Sequence, residues 1–594
     1  MTDATAQPRA ESYPFQEAAT RRFRLGTPRG FTIAPDGRRV AFVRSAGGRD
    51  PAGSLWVGEI DAAGELVERC VVDAHAVATS GADVPAAERA RRERMRETTA
   101  AITAFSTDEA VSRAAFALDG DLFLVDLVTL AAQVVALDHP GPVVDPRLSP
   151  DGATVCFVCD GSLWVVPAEA DAPARLLAER TDETSTWGLA DFVAAEELDR
   201  SRGLWWLSDS SAVLAEYVDQ APVEVRWIGD PARPEREPVP HRYPAAGTAN
   251  PIARLFRIDL DGDRREVEWD HDAFCYLATV HPGAGGAVVS VLSRDQRHQR
   301  ILDVAADGTV SVARDRTCSP WLTMVPGVPR RTDDGRLLEV VADDGVDAFR
   351  LVVDDVALTP PGLQVTALID VAADAVVVTA QPSPFDQHVV RVDHAGAVSM
   401  LSSGPGLHHA SAGRGGLVVA SARPDRAGTQ YSARLAGGSG RIANHAEIPL
   451  VDPRPFYSRV GPRELAAAVL WPSGHVPGSG RLPVVMAPYG GPHHARVVHA
   501  AGAFAADQWL ADQGFAVVVI DGAGTPGRGP AFEHEIAGDL AVRVLADQVD
   551  ALQALGAAHS DLDLTRVGIT GWSFGGFLAA LAVLDRPDVF HVAV

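Results

Sequence analysis

The stretch "RVGITGWSFGGFLAALAVLDR", residues 566–586, places a short apolar strand, a glycine-rich turn and an apolar helix in immediate succession. Within the turn, residues 571–575 read Gly-Trp-Ser-Phe-Gly and have the G-x-S-x-G spacing of a nucleophile elbow. The turn strains the backbone of its serine, so the positions two before and two after it need glycine. Ser573 would then lie at the helix N-terminus, where backbone N–H groups stabilise a developing oxyanion. The pattern predicts a catalytic serine; the alternative is a glycine-rich turn whose serine has no function.

The segments before this turn predict the rest of an α/β domain. "LPVVMAPYGG" and "FAVVVIDGAG" contain short, fully apolar strands of the kind that a parallel sheet buries. "AFEHEIAGDLAVRVLADQVDALQALGA" follows with the periodicity of a helix. The order of strand, helix, strand, sharp turn and helix is that of α/β architecture.

The larger, N-terminal part of the chain predicts an all-β domain. Short β-type runs alternate with Asp-Gly turns, as in "TIAPDGRRVAFVRS" and "LSPDGATVCFVCDGSLWVVPA". "GSLWV" occurs at residues 53–57 and 161–165, and the related "GDLFLV" begins at Gly120. The second step, of 41 residues, fits one four-stranded propeller blade, and the charged helical insertion "PAAERARRERMRE" lengthens the first step to 67.

These patterns divide the chain into three parts. Residues 1–20 are an N-terminal extension, and residues 21–445 are a β-propeller of seven or eight blades. Residues 446–594 are the α/β domain. A generic all-β domain is the alternative to the propeller.

Composition argues against several classes of partner. The chain has 53 basic and 78 acidic residues, a net charge of −25, which does not suit a phosphate-binding surface, so we expect no nucleic acid. The N-terminal residues "MTDATAQPRAESYPF" contain no apolar segment typical of a signal peptide. No apolar run approaches the ~20 residues needed to cross a bilayer. We therefore expect a cytoplasmic protein that does not engage a membrane.

The motifs that would indicate a cofactor or a metal are incomplete. Residues 522–527 match the dinucleotide pattern GxGxxG, but Pro526 indicates a loop rather than the start of a helix. "HEIAG", from His534, lacks the second histidine of a zinc peptidase. Cys156 and Cys159 form a CxxC on a strand, which points them to opposite faces, and the five cysteines are too scattered for a disulfide framework. We expect no metal or organic cofactor.

Several separate stretches resemble the dipeptidyl peptidase IV branch of the prolyl oligopeptidase family. "GWSFGG" matches the family's nucleophile motif, and "PYGGP", residues 488–492, matches the loop whose tyrosine hydroxyl is an oxyanion donor, here Tyr489. "DGAG", residues 521–524, resembles the family's Asp-Gly-x-Gly loop with Ala523 in place of the usual arginine. The resemblance implies a propeller that caps an α/β-hydrolase domain. It also implies a serine exopeptidase that releases N-terminal dipeptides, Xaa-Pro or Xaa-Ala, through an acyl-enzyme. Phe574 would contribute its N–H to the oxyanion site and its ring to the pocket for proline or alanine.

A fourth match lies in the propeller. "GLADFVAAEELDRSRGLWWLSD" resembles the segment that carries the family's paired glutamates, which would be Glu196 and Glu197. Two adjacent carboxylates can hold one ammonium through charge-assisted hydrogen bonds. A peptide N-terminus anchored in this way at a fixed distance from Ser573 would be cut after its second residue. The alternative is a solvated acidic pair. The family also uses a propeller arginine on a substrate carbonyl, and the insertion offers four candidates: Arg91, Arg92, Arg94 and Arg96.

The partners of the serine are harder to find. In α/β-hydrolases an acidic residue and then a histidine follow the serine along the chain. Here 21 residues follow Ser573, and they include Asp585, Asp588 and His591. The helix that leaves the turn would carry these residues away from Ser573, so we expect none of them to serve it. We therefore expect an incomplete hydrolase domain, truncated at its C-terminus, and an inactive chain as given.

Two further functions stay open at this point. One is a non-catalytic propeller protein with a decayed hydrolase domain. The other is an acylaminoacyl peptidase or oligopeptidase of the same family, which would not need the glutamate pair. The resemblance implies peptide substrates with a free N-terminus, and homodimers of the full-length form.

Overall fold

Two kinds of sheet make up the protein in this computed structural model. It describes residues 12–77, 84, 86–97, 99–129 and 134–594. Consecutive antiparallel sheets occupy the chain as far as Ile442, and a mixed sheet flanked by helices begins at Phe456. Part of the predicted N-terminal extension, residues 1–11, lies outside the described residues.

The N-terminal domain begins with four antiparallel sheets, numbered here in chain order. Sheet 1 contains Arg29–Ile33, Arg39–Ser45, Ala52–Ile60 and Leu66–Val72, with Ala100–Ala101 beside its third strand. Sheet 2 contains Ser106–Thr107, Arg113–Leu118, Asp121–Asp126 and Val134–Leu137. Sheet 3 contains Val143–Leu148, Thr154–Cys159, Ser162–Pro167 and Arg175–Ala178. Sheet 4 contains Ser185–Trp187, Leu204–Trp206, Ala212–Asp219, Ile252–Asp259 and Arg264–Val267, and a separate hairpin pairs Val225–Ile228 with Val239–Arg242.

Four more sheets follow with the same pattern. Sheet 5 contains Tyr276–Gly283, Gly286–Leu292, His298–Ala305 and Val310–Thr317. Sheet 6 contains Arg330–Arg331, Leu337–Asp343, Ala348–Val353 and Val356–Ala357. Sheet 7 contains Gln364–Val371, Ala375–Ser383, Asp386–Asp393 and Val398–Met400. Sheet 8 contains Leu407–Gly413, Gly416–Arg423, Arg426–Leu435 and Gly438–Ile442, and joins sheet 7 through the single pair Gln387–Leu407.

The sequence repeats mark equivalent positions in this architecture. "GSLWV" and "GDLFLV" belong to the third strands of sheets 1, 2 and 3. Predicted Asp-Gly turns form the hairpins before two of these strands. Asp119 and Gly120 have φ of 55° and 92°, and Asp160 and Gly161 have φ of 46° and 72°. Positive φ at both central residues gives the turn the twist that antiparallel strands require.

Contacts between the first and last sheets close the domain. Ile33 and Phe42 of sheet 1 share a buried cluster with Val418 and Tyr431 of sheet 8. Sheets 4 and 5 share another cluster in the same manner. Packing of each sheet on the next, with the last returning to the first, is the arrangement of a β-propeller.

The C-terminal domain is built on a mixed sheet. Its strands, in spatial order, are Phe456–Val460, Leu465–Leu470, Ala516–Asp521, Leu482–Met486, Leu562–Ile569 and Val592–Ala593. The last four run parallel to one another. Leu465–Leu470 pairs antiparallel with Ala516–Asp521 on one side and with Phe456–Val460 on the other. The flanking helices are Ala505–Ala511, Pro530–His534, Val542–Ala558 and Phe574–Asp585, with a 3₁₀ turn at Ala501–Phe504. The predicted α/β architecture is present.

One predicted helix is divided in two. The helical periodicity that begins at residue 531 is interrupted at Gly538, whose φ of 76° is left-handed. Asp539 then accepts hydrogen bonds from the N–H groups of Ala541 and Val542 at 2.9 and 3.0 Å. The second helix, Val542–Ala558, therefore starts anew after this turn, with its first N–H bound by the Asp539 carboxylate, rather than continuing the first helix.

The described residues of the N-terminal part include four short helices. They are Tyr13–Ala19, Ala74–Val77, Ala86–Arg94 and Phe192–Glu197. Tyr13 stacks on Trp509 of the C-terminal domain, with ring centroids 6.3 Å apart. The described helices include none that is both long and apolar enough to cross a membrane.

Candidate active site

The predicted nucleophile elbow, residues 571–575, has the geometry that its sequence requires. It follows the parallel strand Leu562–Ile569 and leads directly into the helix Phe574–Asp585. Ser573 is exposed and has φ 56° and ψ −119°, a conformation that a non-glycine residue adopts only under strain. A Cβ atom on Gly571 would stand 2.1 Å from the carbonyl oxygen of Gly575. The glycines are therefore required sterically, and strain of this kind persists where function uses it.

The elbow packs against the tyrosine loop, residues 488–492. A Cβ atom on Gly575 would stand 2.5 Å from the Pro488 carbonyl oxygen, and one on Gly491 would stand 2.4 Å from the Phe574 ring. The rings of Tyr489 and Phe574 have centroids 6.1 Å apart. The N–H of Phe574, at the first helical position, has no intrahelical acceptor. The fold thus brings the serine, the tyrosine and this N–H to one place.

The acidic pair lies on the short helix Phe192–Glu197. Asp191 caps it, accepting hydrogen bonds from Val193 N–H at 2.8 Å and Ala194 N–H at 3.2 Å. Ala194 is fully buried and fixes the inner face of the helix. The final two residues, Glu196 and Glu197, are thereby held at the C-terminal end of the helix on a rigid support.

The arginine-rich insertion reaches this pair from sheet 1. Its helix, Ala86–Arg94, ends with Arg94 stacked on Phe192, with the guanidinium 5.2 Å from the ring centroid. Arg96 Nη2 lies 3.2 Å from Glu196 Oε2. Arg91 and Arg92 instead bind Glu88 of their own helix, at 2.7 and 2.6 Å. Of the four predicted candidates, Arg94 and Arg96 are therefore the two at the acidic pair.

A cavity of about 1300 Å³ lies between the two domains. Its propeller wall includes Glu197, and its opposite wall includes Pro492 and His493, which end and follow the tyrosine loop. Glu196 and Ser573 do not line it. The structure thus brings Glu197 to the same cavity as the tyrosine loop, whereas Glu196 faces Arg96.

Asp588 and His591, which follow the elbow, have other partners. Asp588 pairs with Arg586 at 2.7 Å, and His591 Nδ1 lies 3.2 Å from the backbone of Val567. Among the described residues, Ser573 Oγ has no hydrogen bond to an imidazole or a carboxylate.

Burial raises the pKa of two carboxyl groups, one of which lines the cavity. Burial raises the pKa of Asp521 to about 6, although its carboxylate accepts N–H hydrogen bonds from Arg496 and Val497 at 3.0 and 2.8 Å. Burial also raises the pKa of Glu533, which lines the cavity, to about 7, and the nearby negative charge of Asp347 adds to the effect. Glu533 is therefore half protonated near neutral pH.

Replacing Glu533 by glutamine is expected to stabilise the protein at high pH. The pKa of Glu533 in the folded protein, about 7, lies above its ordinary value of 4.5. Ionisation therefore favours the unfolded chain, and the wild type becomes less stable than the variant as the pH rises from 4.5 through about 7. The free energy of unfolding of E533Q should exceed that of wild type by about 3 kcal/mol at pH 8 and by less than about 1 kcal/mol at pH 5. Urea denaturation at the two pH values measures this difference. An equal difference at both would show that ionisation of Glu533 is not its cause.

One anchor of the site was not predicted. Arg200 is buried and donates to Glu216 at 2.5 and 2.9 Å, and its Nη2 also donates to the Leu277 carbonyl at 3.0 Å. It lies 3.6 Å from Asp191, the cap of the Glu-bearing helix. This ion pair ties that helix to sheets 4 and 5. The signal in the sequence is Glu216 itself, a charged residue within the apolar strand "AVLAEYVD".

Comparison with known proteins matches both domains to described families. Residues 103–415 match the dipeptidyl peptidase IV (DPP IV) N-terminal region, and residues 503–594 match the prolyl oligopeptidase family. Over 97% of its length the chain superimposes on 83% of the crystal structure of Porphyromonas gingivalis dipeptidyl peptidase 4. The TM-score is 0.79 and the sequence identity is 20%, a likeness in fold.

Curated relatives match over most of the chain. Dipeptidyl peptidase 8 of Mus musculus is 23% identical and covers 78% of this chain. The probable dipeptidyl-aminopeptidase B of Aspergillus oryzae is also 23% identical and covers 79%. The chain spans 64% of the mouse relative's length and 58% of the fungal one's.

Proposed function

Because the chain belongs to the dipeptidyl peptidase IV branch of the prolyl oligopeptidase family, we propose that the protein is a serine exopeptidase that releases dipeptides from peptides with a free N-terminus. The observation that carries this proposal is the strained elbow at Ser573, which packs on the tyrosine loop. The presence of Glu197 and of the residues beside that loop on opposite walls of one cavity supports the dipeptide specificity.

In the proposed mechanism the substrate ammonium binds the acidic pair, Glu196 and Glu197. Ser573 Oγ attacks the carbonyl carbon of the second residue, and the Tyr489 hydroxyl and Phe574 N–H donate hydrogen bonds to the oxyanion. The C–N bond breaks, the amine leaves with a proton, and water releases the dipeptide from the acyl-enzyme. The role of proton acceptor for Ser573 is not assigned to any described residue.

The proposal also covers the preferred side chain, the number of propeller blades, the location of the protein and its partners. Proline or alanine at the second position suits a small apolar pocket beside Phe574. The sheets numbered 1 to 8 support a propeller of eight blades. The five cysteines are free thiols, which supports a reducing, cytoplasmic location. Peptides are the proposed partners, without nucleic acid or membrane, and homodimers remain part of the proposal.

The test uses two forms of one peptide. Ala-Pro-Ala-Ala-Ala and its N-acetylated form are incubated with the intact protein, and products are identified by mass spectrometry. Ala-Pro should appear from the free peptide, and the acetylated peptide should stay intact. Release of acetyl-alanine would instead identify an acylaminoacyl peptidase, and internal cleavage an oligopeptidase. Binding without cleavage would favour a non-catalytic propeller protein.

A further inference from the structure

Three basic side chains share the propeller wall of the cavity. Arg202 precedes the strand Leu204–Trp206 of sheet 4, His281 lies in the first strand of sheet 5, and Arg330 lies in the first strand of sheet 6. Leu204–Trp206 and Ser185–Trp187 together form the inner edge of sheet 4, and the inner edges of consecutive propeller sheets line the central channel side by side. The three residues therefore converge from neighbouring sheets, although 128 positions of sequence separate the first from the last.

These side chains lack the partners that other arginines of the protein have. Arg200, two positions before Arg202, is paired with Glu216. Within the described part of the chain, neither Arg202 nor Arg330 forms an ion pair. Arg330 Nε and His281 Nε2 are buried and have no hydrogen-bond partner among the described residues. A buried donor without an acceptor costs free energy that a ligand can recover.

The electrostatics agree with an excess of positive charge. Repulsion by Arg147, followed by burial, lowers the pKa of Arg202 to about 10. Burial, followed by Arg330 and Arg202, lowers the pKa of His281 to about 4. Burial lowers the pKa of Arg330, which the charge of Asp370 opposes. Each shift shows that the positive form is destabilised in this part of the cavity.

The nearest carboxylates do not neutralise the cluster. Asp145 is bound by Arg147 at 2.6 Å and faced by Arg91 at 3.7 Å. Asp370 has a pKa raised by burial and acts on Arg330 from a distance. In a protein with a net charge of −25, an unneutralised basic cluster inside a cavity is suited to an anionic ligand.

We infer that Arg202, His281 and Arg330 form a subsite for a carboxylate of the peptide substrate. Guanidinium groups bind carboxylates through paired hydrogen bonds, and a neutral imidazole can donate one more. The inference rests on the proposed function for the identity of the ligand as a peptide. The carboxylate is either the peptide's C-terminus or an acidic side chain.

The experiment measures binding separately from cleavage. The intact protein carrying S573A, which does not turn over substrate, is titrated calorimetrically with Ala-Pro-Ala-Ala-amide as the uncharged reference. Three peptides with one added carboxylate follow: the same tetrapeptide with a free C-terminus, Ala-Pro-Asp-Ala-amide and Asp-Pro-Ala-Ala-amide. At least one of them should bind about tenfold more tightly than the reference. Which one does so identifies the source of the carboxylate.

Substitutions of the two arginines then test whether the basic cluster causes the preference for a carboxylate. In the S573A background, R202Q and R330Q should each reduce the affinity ratio of acidic to reference peptide to near one, and R330K should retain part of it. R454Q, which removes an exposed arginine paired with Asp452, is the matched control and should leave the ratio unchanged. Equal affinity for all four peptides, or a preference that survives both variants, would overturn the inference.

The outcome is independent of the peptidase proposal. If wild-type protein cleaves none of the peptides but the variants abolish a carboxylate preference, the proposed function fails and the subsite stands. If dipeptides are released from all four peptides with no preference, the subsite fails and the proposed function stands.

Discussion

In a form of the protein in which an acid and a histidine serve Ser573, replacing this serine by alanine is expected to lower kcat for release of Ala-Pro from Ala-Pro-p-nitroanilide by about 10⁴-fold or more. The reason is that the elbow holds this side chain exposed, in a strained conformation, beside Tyr489 and the N–H of Phe574. Without Oγ no acyl-enzyme forms, while the oxyanion donors and the substrate contacts remain. Binding of substrate should therefore persist, and the loss should appear in kcat.

The matched control is S560A. Ser560 is an exposed serine of the same domain, after the helix Val542–Ala558, and its hydroxyl donates a hydrogen bond to Asp561 Oδ1 at 3.3 Å. This variant should retain wild-type kcat. Activity of S573A above about one hundredth of wild type would place the chemistry at another residue.

Local sterics made the elbow predictable. The glycines at 571 and 575 are required by contacts with immediate neighbours, 2.1 Å to Gly575 O and 2.5 Å to Pro488 O. Such constraints are written into a few adjacent residues and are visible without the fold. The hairpin turns at Asp119-Gly120 and Asp160-Gly161 were predictable for the same reason, since each depends on the φ of two residues.

Contacts between distant segments were not predictable in this way. The pair Arg96–Glu196 joins positions 100 apart, and its geometry depends on how sheet 1 faces sheet 4. The sequence offered four arginines, and only the fold separates the two that bind Glu88 from the two at the acidic pair. Positions of this kind are set by packing of sheets rather than by local propensity.

The interrupted helix is an intermediate case. Apolar residues on both sides of Gly538 keep helical spacing, so periodicity alone predicted one helix. The structure has two helices here, because Gly538 takes a left-handed φ and Asp539 accepts hydrogen bonds from the N–H groups that open the second helix. A Gly-Asp pair within a periodic segment is a signal that periodicity overlooks. The glycine allows the chain to leave the helical conformation, and the aspartate binds the free N–H groups where the next helix begins.

Replacing Glu197 by glutamine is expected to lower kcat/KM for Ala-Pro-p-nitroanilide by about 100-fold, because an ammonium loses its charged partner inside the cavity. Glu197 lines that cavity and forms no ion pair within the described residues, so its whole charge is available to substrate. Glu196 already shares its carboxylate with Arg96 at 3.2 Å. E196Q should therefore also lower kcat/KM for this substrate, but by less than E197Q does.

The des-amino substrate, propionyl-Pro-p-nitroanilide, separates anchoring from structure. It lacks the ammonium, so E197Q should hardly change its kcat/KM, and the ratio of the two substrates should fall by the full 100-fold or so. E237Q, on an exposed loop, is the control and should leave both substrates unaffected. If E197Q instead reduces both substrates equally, Glu197 supports the cavity wall and does not bind the N-terminus. A larger effect of E196Q than of E197Q would place the ammonium beside Arg96, outside the cavity that Glu197 lines.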